Sequence, residues 1–141
     1  MGTEANAAAG FFCTKVAADT GAGGLVGLVA DRVFEDAAPL GVDFPLIVFS
    51  LSSPHDVRPA GIERVLTNAT YLVRAIGREG GGYVGSQAEA VAARLDDVIH
   101  GTSGGTVQMC LRDRPFSRSY TLDGVTYYER GGYYTLHIHG G

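Results

Sequence analysis

Residues 116–141 read FSRSYTLDGVTYYERGGYYTLHIHGG and gather five of the chain's seven tyrosines into two alternating runs, punctuated by Asp123-Gly124 and Gly131-Gly132. Asp-Gly and Gly-Gly tolerate the positive φ of tight hairpin turns, and the flanking Tyr, Thr, Val and Ile favour a pleated, half-buried surface. The pattern predicts a β-meander that turns at each of the two dipeptides. An enzyme of this size usually shows a polar cluster where its chemistry sits, whereas the densest patterning here builds a sheet. An assembly role therefore comes to mind before a catalytic one.

Just upstream, Val107, Met109 and Leu111 alternate with Thr106, Gln108, Cys110 and Arg112, which predicts a strand with the first set on one face and the second on the other. Residues 86–100, SQAEAVAARLDDVIH, carry the clearest helix signal. Ser86 and Glu89 form a capping box, Ala88, Val91, Ala92, Leu95, Val98 and Ile99 make one apolar stripe, and His100-Gly101 supplies a C-terminal cation and cap. Val65, Thr67, Ala69, Tyr71, Val73 and Ala75 alternate along another long strand, after which residues 77–85 free the chain to turn. PLIVFSLS at 45–52 reads as a strand started by Pro45 and partly buried on both faces. Pro54, Pro59 and Gly61 predict a long exposed connection over 53–63, a candidate functional loop. Nearer the N-terminus, Ala5, Ala8, Ala9, Phe12 and Val16 follow helical spacing from an N-cap at Thr3 to about Ala18, where Gly21-Ala22-Gly23-Gly24 ends the helix. One more helical turn at 25–30 and a short strand at Val33-Phe34 precede a loop over 35–44. The sum is a single domain over 1–141 of class α+β: a mainly antiparallel sheet of four to six strands with two helices packed on one face.

A chain of 141 residues buries enough surface for a core without staples. Cys13 and Cys110 lie far apart in apolar patterns and match no metal spacing, so both are expected as buried free thiols. No apolar run approaches the roughly 20 residues needed to span a bilayer, and MGTEANAAAG lacks the basic region and long apolar stretch of a signal peptide. The expected location is the cytosol, or assembly there. A net charge of -4, with Lys15 the one lysine, argues against general nucleic-acid binding, which draws its affinity from cations neutralising phosphates.

Motifs that suggest chemistry each meet a plainer reading. His137 and His139 share a strand face, but a pair lacks the third and fourth ligands of a metal site. His55 stands in Ser-Pro-His-Asp beside Asp56, yet the members of a triad converge from separate segments, and no Ser sits in a GxSxG elbow. The glycines at 21–27 lack the preceding strand of a phosphate loop and read as a helix stop. Neither a catalytic set nor a cofactor or metal is expected. What remains is a set of arginines: Arg112, Arg114 and Arg118 flank Pro115 and Phe116, with Tyr120 close by, while Arg58 and Arg64 charge the exposed loop. Arginine forks and aromatic faces are favoured at protein interfaces, and the acidic net charge points to a protein partner rather than nucleic acid.

Four stretches resemble, in residue type and order, the tail terminator or tail completion proteins of tailed bacteriophages. They are LVGLVADRVFEDAAPLGVDFPLIVFSLSS, VLTNATYLVRAIG, SQAEAVAARLDDVIH and YYERGGYYTLHIHG, and the resemblance runs from about Thr3 to Ile138. Gly10 within the first helix and the extra tyrosine hairpin depart from the family pattern. The resemblance implies a structural virion protein without enzymatic activity. It would form a ring, typically hexameric, that caps the tail tube, stops tube polymerisation and presents a joining surface to the head connector. Its partners would be itself, the tube protein and the connector, with DNA only as cargo through the ring and no membrane. Its place would be the virion neck, after assembly in the host cytoplasm. The 53–63 loop is then expected at an axial contact, and Tyr127, Tyr128 and Arg130 at subunit contacts. A head completion or connector protein fits the same residues, and from another class a small ligand-binding domain or hydrolase around His55 and Asp56 is the alternative.

Overall fold

The computed structural model describes residues 3–57, 66–80 and 82–139, with side chains described over 7–52, 68–80 and 82–138. Helix α1 (Thr3–Ala18) and the short α2 (Leu25–Val29) lead to strand β1 (Val33–Glu35). Then come β2 (Leu46–Val57), β3 (Leu66–Glu79), helix α3 (Gln87–Ile99), β4 (Thr102–Gly104), β5 (Val107–Leu122) and β6 (Val125–His139). The strands form one sheet in the order β1-β2-β3-β6-β5-β4, curled into a half-barrel. Only β1 and β2 run parallel; every other neighbouring pair is antiparallel. The α+β class and the mainly antiparallel sheet agree with the sequence reading, with a short third helix added.

The core lies between the helices and the sheet face carrying Ile47, Phe49, Ala69, Tyr71, Val73, Tyr134, Leu136 and Ile138. Phe12 of α1 meets Phe49 and Tyr71 with ring centroids 5.0 and 5.7 Å apart, and α3 contributes Val91, Leu95 and Ile99. Leu46 and Val48 point to the opposite face and are buried there too, beneath the segment at 37–44, which explains the unbroken apolar run in β2. The Asp19 carboxylate closes the helical layer. Its Oδ2 accepts the Leu25 backbone N–H at 2.8 Å and so caps α2, while Arg94 of α3 grips both oxygens at 2.8 and 2.6 Å.

Several expectations fail for definable reasons. Asp123-Gly124 does form a two-residue turn, with φ of 52° and 76°, but Gly131-Gly132 does not turn at all. Both glycines sit inside β6, paired with β3 on one side and β5 on the other, so there is one hairpin rather than two. A Cβ at Gly131 would overlap the Val73 carbonyl oxygen, and one at Gly132 would lie 3.0 Å from that of Arg114. These glycines mark close approach of backbones. In β5, a bulge between Val107 and Met109 shifts the register by one residue. Parity flips past it: Val107 and Cys110 are buried together, whereas Met109 and Leu111 emerge on the other face, 38% and 39% exposed.

The capping box is likewise absent. Ser86 is already helical and makes no side-chain cap, because the carbonyls of Val84, Gly85 and Ser86 take the N–H groups of Gln87, Ala88 and Glu89 in tight i to i+3 turns. At the other end of α3 the His100 ring turns to β5, where its Nδ1 accepts the Arg112 N–H at 3.0 Å. Pairing continues through Ser53 to Val57, where an exposed connection was expected, with Pro54 opposite Ala69. Beyond Phe49 the parallel partner β1 has ended, so among the described residues this part of β2 is a sheet edge, where a missing N–H is tolerated. Strand β3 also runs past Gly77 to Glu79. Cys110 is buried as expected, but Cys13 is exposed on α1.

Candidate interaction surface

Because β5 and β6 pair over their whole length, side-chain parity decides what each face presents. On the face away from the helices, β6 places Tyr127, Glu129, Tyr133, Thr135 and His137; opposite them, past its second bulge at Asp113, β5 places Arg114, Phe116, Arg118 and Tyr120. Arg114 lies over the Tyr133 ring at 4.0 Å, Phe116 meets the same ring edge-on at 6.0 Å, and Tyr120 stacks on Tyr127 at 5.4 Å. Together with Met109 and Leu111, they line β5 with the Arg, Met and aromatic types favoured in interface cores.

Glu129 anchors this face. Only 2% exposed, it accepts from Arg74 of β3 at 3.2 Å and from Arg118 at 3.1 Å. Its carboxylate holds the Arg118 guanidinium above its ordinary pKa, chiefly by that hydrogen bond. Burial, and then Glu129, pushes the Tyr120 hydroxyl up as well. Arg118 is held to Glu129 through one Nη2 bond, and its outer surface stays half exposed above Tyr120.

The residues expected at contacts are divided between the two faces. Arg114, Arg118 and Tyr127 share the open face. Arg112, Tyr128 and Arg130 lie on the helix side: Arg112 pairs with Asp96 of α3 at 3.6 Å, the Tyr128 hydroxyl donates to Glu79 at 3.0 Å, and Arg130 donates to the Arg118 and Glu129 carbonyls, both at 3.0 Å. Arg112, and Arg130 through Glu89 at 3.5 Å, tie the hairpin to α3, while Tyr128 ties it to β3. The Tyr128 hydroxyl is accordingly raised in pKa by its bond to Glu79, and the Tyr134 hydroxyl by burial and its 2.7 Å bond to Asp96. Arg58 and Arg64 lie outside the described residues, as do the side chains of His55, Asp56 and His139. His137 Nδ1 sits 2.6 Å from Asn68 Oδ1. Among the described residues no three His, Cys, Asp or Glu side chains gather as metal ligands, and no helix is long and apolar enough to cross a membrane.

Sequence reasoning missed Glu129, Arg74, Met109 and Leu111. Strict alternation in TYYERGG does put Glu129 on the Tyr127 face, so that signal was present; the bulge that exposes Met109 and Leu111 leaves no mark in the sequence. Two sheet edges flank this surface. Strand β4 reaches only as far as Cys110, so among the described residues β5 has one strand neighbour from Leu111 to Leu122, with the His100 ring on the Arg112 N–H, and β2 has one beyond Phe49.

No family model matches this chain, and no curated protein matches it either. Among solved structures, a chain of the "Virion of native gene transfer agent (GTA) particle" is similar over 99% of this chain and 100% of its own length, at 19% identity and a TM-score of 0.68. The likeness is one of fold.

Proposed function

We propose that the chain is a structural subunit of a tailed, phage-like virion and acts as a tail terminator: a closed ring that caps the tail tube and offers its outer side to the head connector. The reading rests above all on the end-to-end fold likeness to a chain of a gene transfer agent virion, at a TM-score of 0.68. The ordered sequence resemblance to tail terminators supports it independently. A ring requires heterologous contacts that close, that is, two different surfaces on one subunit. The open edges of β5 and β2 stand at opposite sides of the sheet and meet that requirement, and pairing them with neighbours removes an aggregation hazard. The role needs no catalytic residue, and its location would be the virion neck.

Native mass spectrometry of the purified protein, and co-sedimentation with assembled tail tubes, test this reading. A closed ring, or a monomer that sediments with tubes, is the expected result. A protein that stays monomeric at high concentration and ignores tubes would overturn it. Binding to head connectors with no affinity for tubes would favour the head-completion role instead. Arg114→Ala tests the contact assignment separately, since unchanged co-sedimentation would remove Arg114 from the interface while leaving the ring intact.

A further inference from the structure

The two lateral sides of the sheet differ in charge. One side ends in β1, where α1, α2 and β1 bound an apolar groove of about 610 Å³. Cys13, Val16, Val26, Ala30 and Val33 line it, together with the exposed Asp31. Glu35 shares the Val33 face of β1, since side chains two apart on a strand point the same way, and Asp36 follows. These three carboxylates are exposed and have no ion-pair partner among the described residues. Arg32, the cation of this stretch, turns its guanidinium to the carbonyls of Pro45 and Leu28 at 3.1 and 3.4 Å. The opposite side of the sheet is basic. There β5 presents Met109 and Leu111 with Arg114 and Arg118, and Asp113, the acid among them, accepts from the Thr135 hydroxyl. Arg114 is exposed over the Tyr133 ring and has no carboxylate partner among the described residues.

We propose that this groove receives Met109 and Leu111 of a second copy of the chain, with Arg114 of that copy set against Asp31 and Glu35. The inference rests on the ring reading and deepens it by naming the two surfaces that meet. Apolar knobs beside a cation on one side, and an apolar groove beside acids on the other, are complementary without being the same patch. Copies joined through them repeat head to tail instead of pairing off, and such a series closes when its rotation does. The groove has a volume in the range that accepts a small ligand, so it takes two side chains. Because the knobs stand on the face away from the helices and the groove lies on the helical one, neighbours overlap rather than extend one flat sheet.

Cys13, exposed in the groove, makes the contact readable. In the whole chain, free or on tail tubes, Met109→Cys or Leu111→Cys oxidised with copper phenanthroline is expected to bond to Cys13 of the next copy. A non-reducing gel should then show a ladder that extends past the dimer. Adding Cys13→Ser should abolish the ladder, and Leu122→Cys, more exposed but at the hairpin tip, should give none. Arg114→Glu and Glu35→Arg should each weaken assembly by about tenfold or more in native mass spectrometry, and the two together in one chain should restore it, which damage to the fold would not do. A ladder that stops at the dimer would mean a two-fold contact and overturn the proposal, as would equal crosslinking from Leu122→Cys. A ring that closes in the parent but forms no Cys13 bond and ignores both charge reversals would also overturn it, while the ring reading stood. A parent that is monomeric both free and with tubes would remove the two together. Ala17→Trp fills the groove from an exposed position on α1: loss of tube binding with ring and ladder intact would give the groove to the tube protein and sink the proposal.

Discussion

At the scale of single residues, the two glycines of β6 carry more of the architecture than their lack of side chains suggests. Gly131 lies in a strand paired on both sides, where neither β3 nor β5 can retreat without breaking its own ladder. A Cβ there meets the backbone carbonyl of Val73 rather than the end of a pliable side chain, so relaxation must move a strand. Gly131→Ala is therefore expected to destabilise the fold by about 3 kcal/mol, the upper range for overpacking. For a chain of this length that lowers Tm by about 10 °C, which thermal denaturation followed by circular dichroism would register. Gly10 gives the contrast, with open space around a Cβ on α1, and Gly10→Ala should raise Tm by a few degrees. A small decrease for Gly131→Ala, no greater than that of an ordinary surface substitution, would show that the strands give way.

At the scale of elements, Asp19 joins three helices through one side chain: it follows α1, caps α2 and is clasped by α3. The Arg94 hydrogen bond is the main reason its carboxyl sits below the usual carboxylate range. A depressed folded-state pKa means that the stabilisation is present above the unfolded value of about 3.9 and is lost as pH falls through the lower folded value. Asp19→Ala should therefore be less stable than the parent at pH 7 by about 1 kcal/mol or more, the usual cost of a lost cap, and the gap should close toward pH 3. Urea midpoints across that range measure it; a gap independent of pH would mean that the charge is irrelevant. The sequence revealed such elements unevenly. The stripe of α3 and the alternation from Ala69 to Ala75 were legible because each follows a single period against a single layer, and the run of β2 because burial on both faces leaves it unbroken. Gly131-Gly132 misled because backbone approach and turn chemistry both select glycine. The parity of β5 misled because a bulge resets the period without any change of composition, and Arg94–Asp19 was hidden because its members lie 75 residues apart.

At the scale of the whole molecule, the sheet has one face committed to the helices and another that is only partly covered, by the 37–44 segment. The open strip runs along β5, where Met109 and Leu111 stand exposed beside the arginine and tyrosine ladder, next to an edge that β4 leaves free after Cys110. Exposed apolar side chains on an open edge favour self-association, and in a monomer they would be expected to carry charge instead. Asp113 and Pro115 do interrupt this edge, which limits unregulated strand pairing yet leaves the strip's side chains available. Replacing Met109 and Leu111 by Asp removes the apolar contact at positions that already face water, so the fold should hold within about 0.5 kcal/mol for each change. On the proposed ring reading assembly should not survive: the double variant is expected to appear as a monomer by native mass spectrometry where the parent is expected to close a ring, and to sediment poorly with tubes. Matching urea midpoints for the two proteins would establish that the loss comes from the surface and not from unfolding. A double variant that still closes a ring would place the subunit contact elsewhere, leaving the β2 edge and the helical face to account for it.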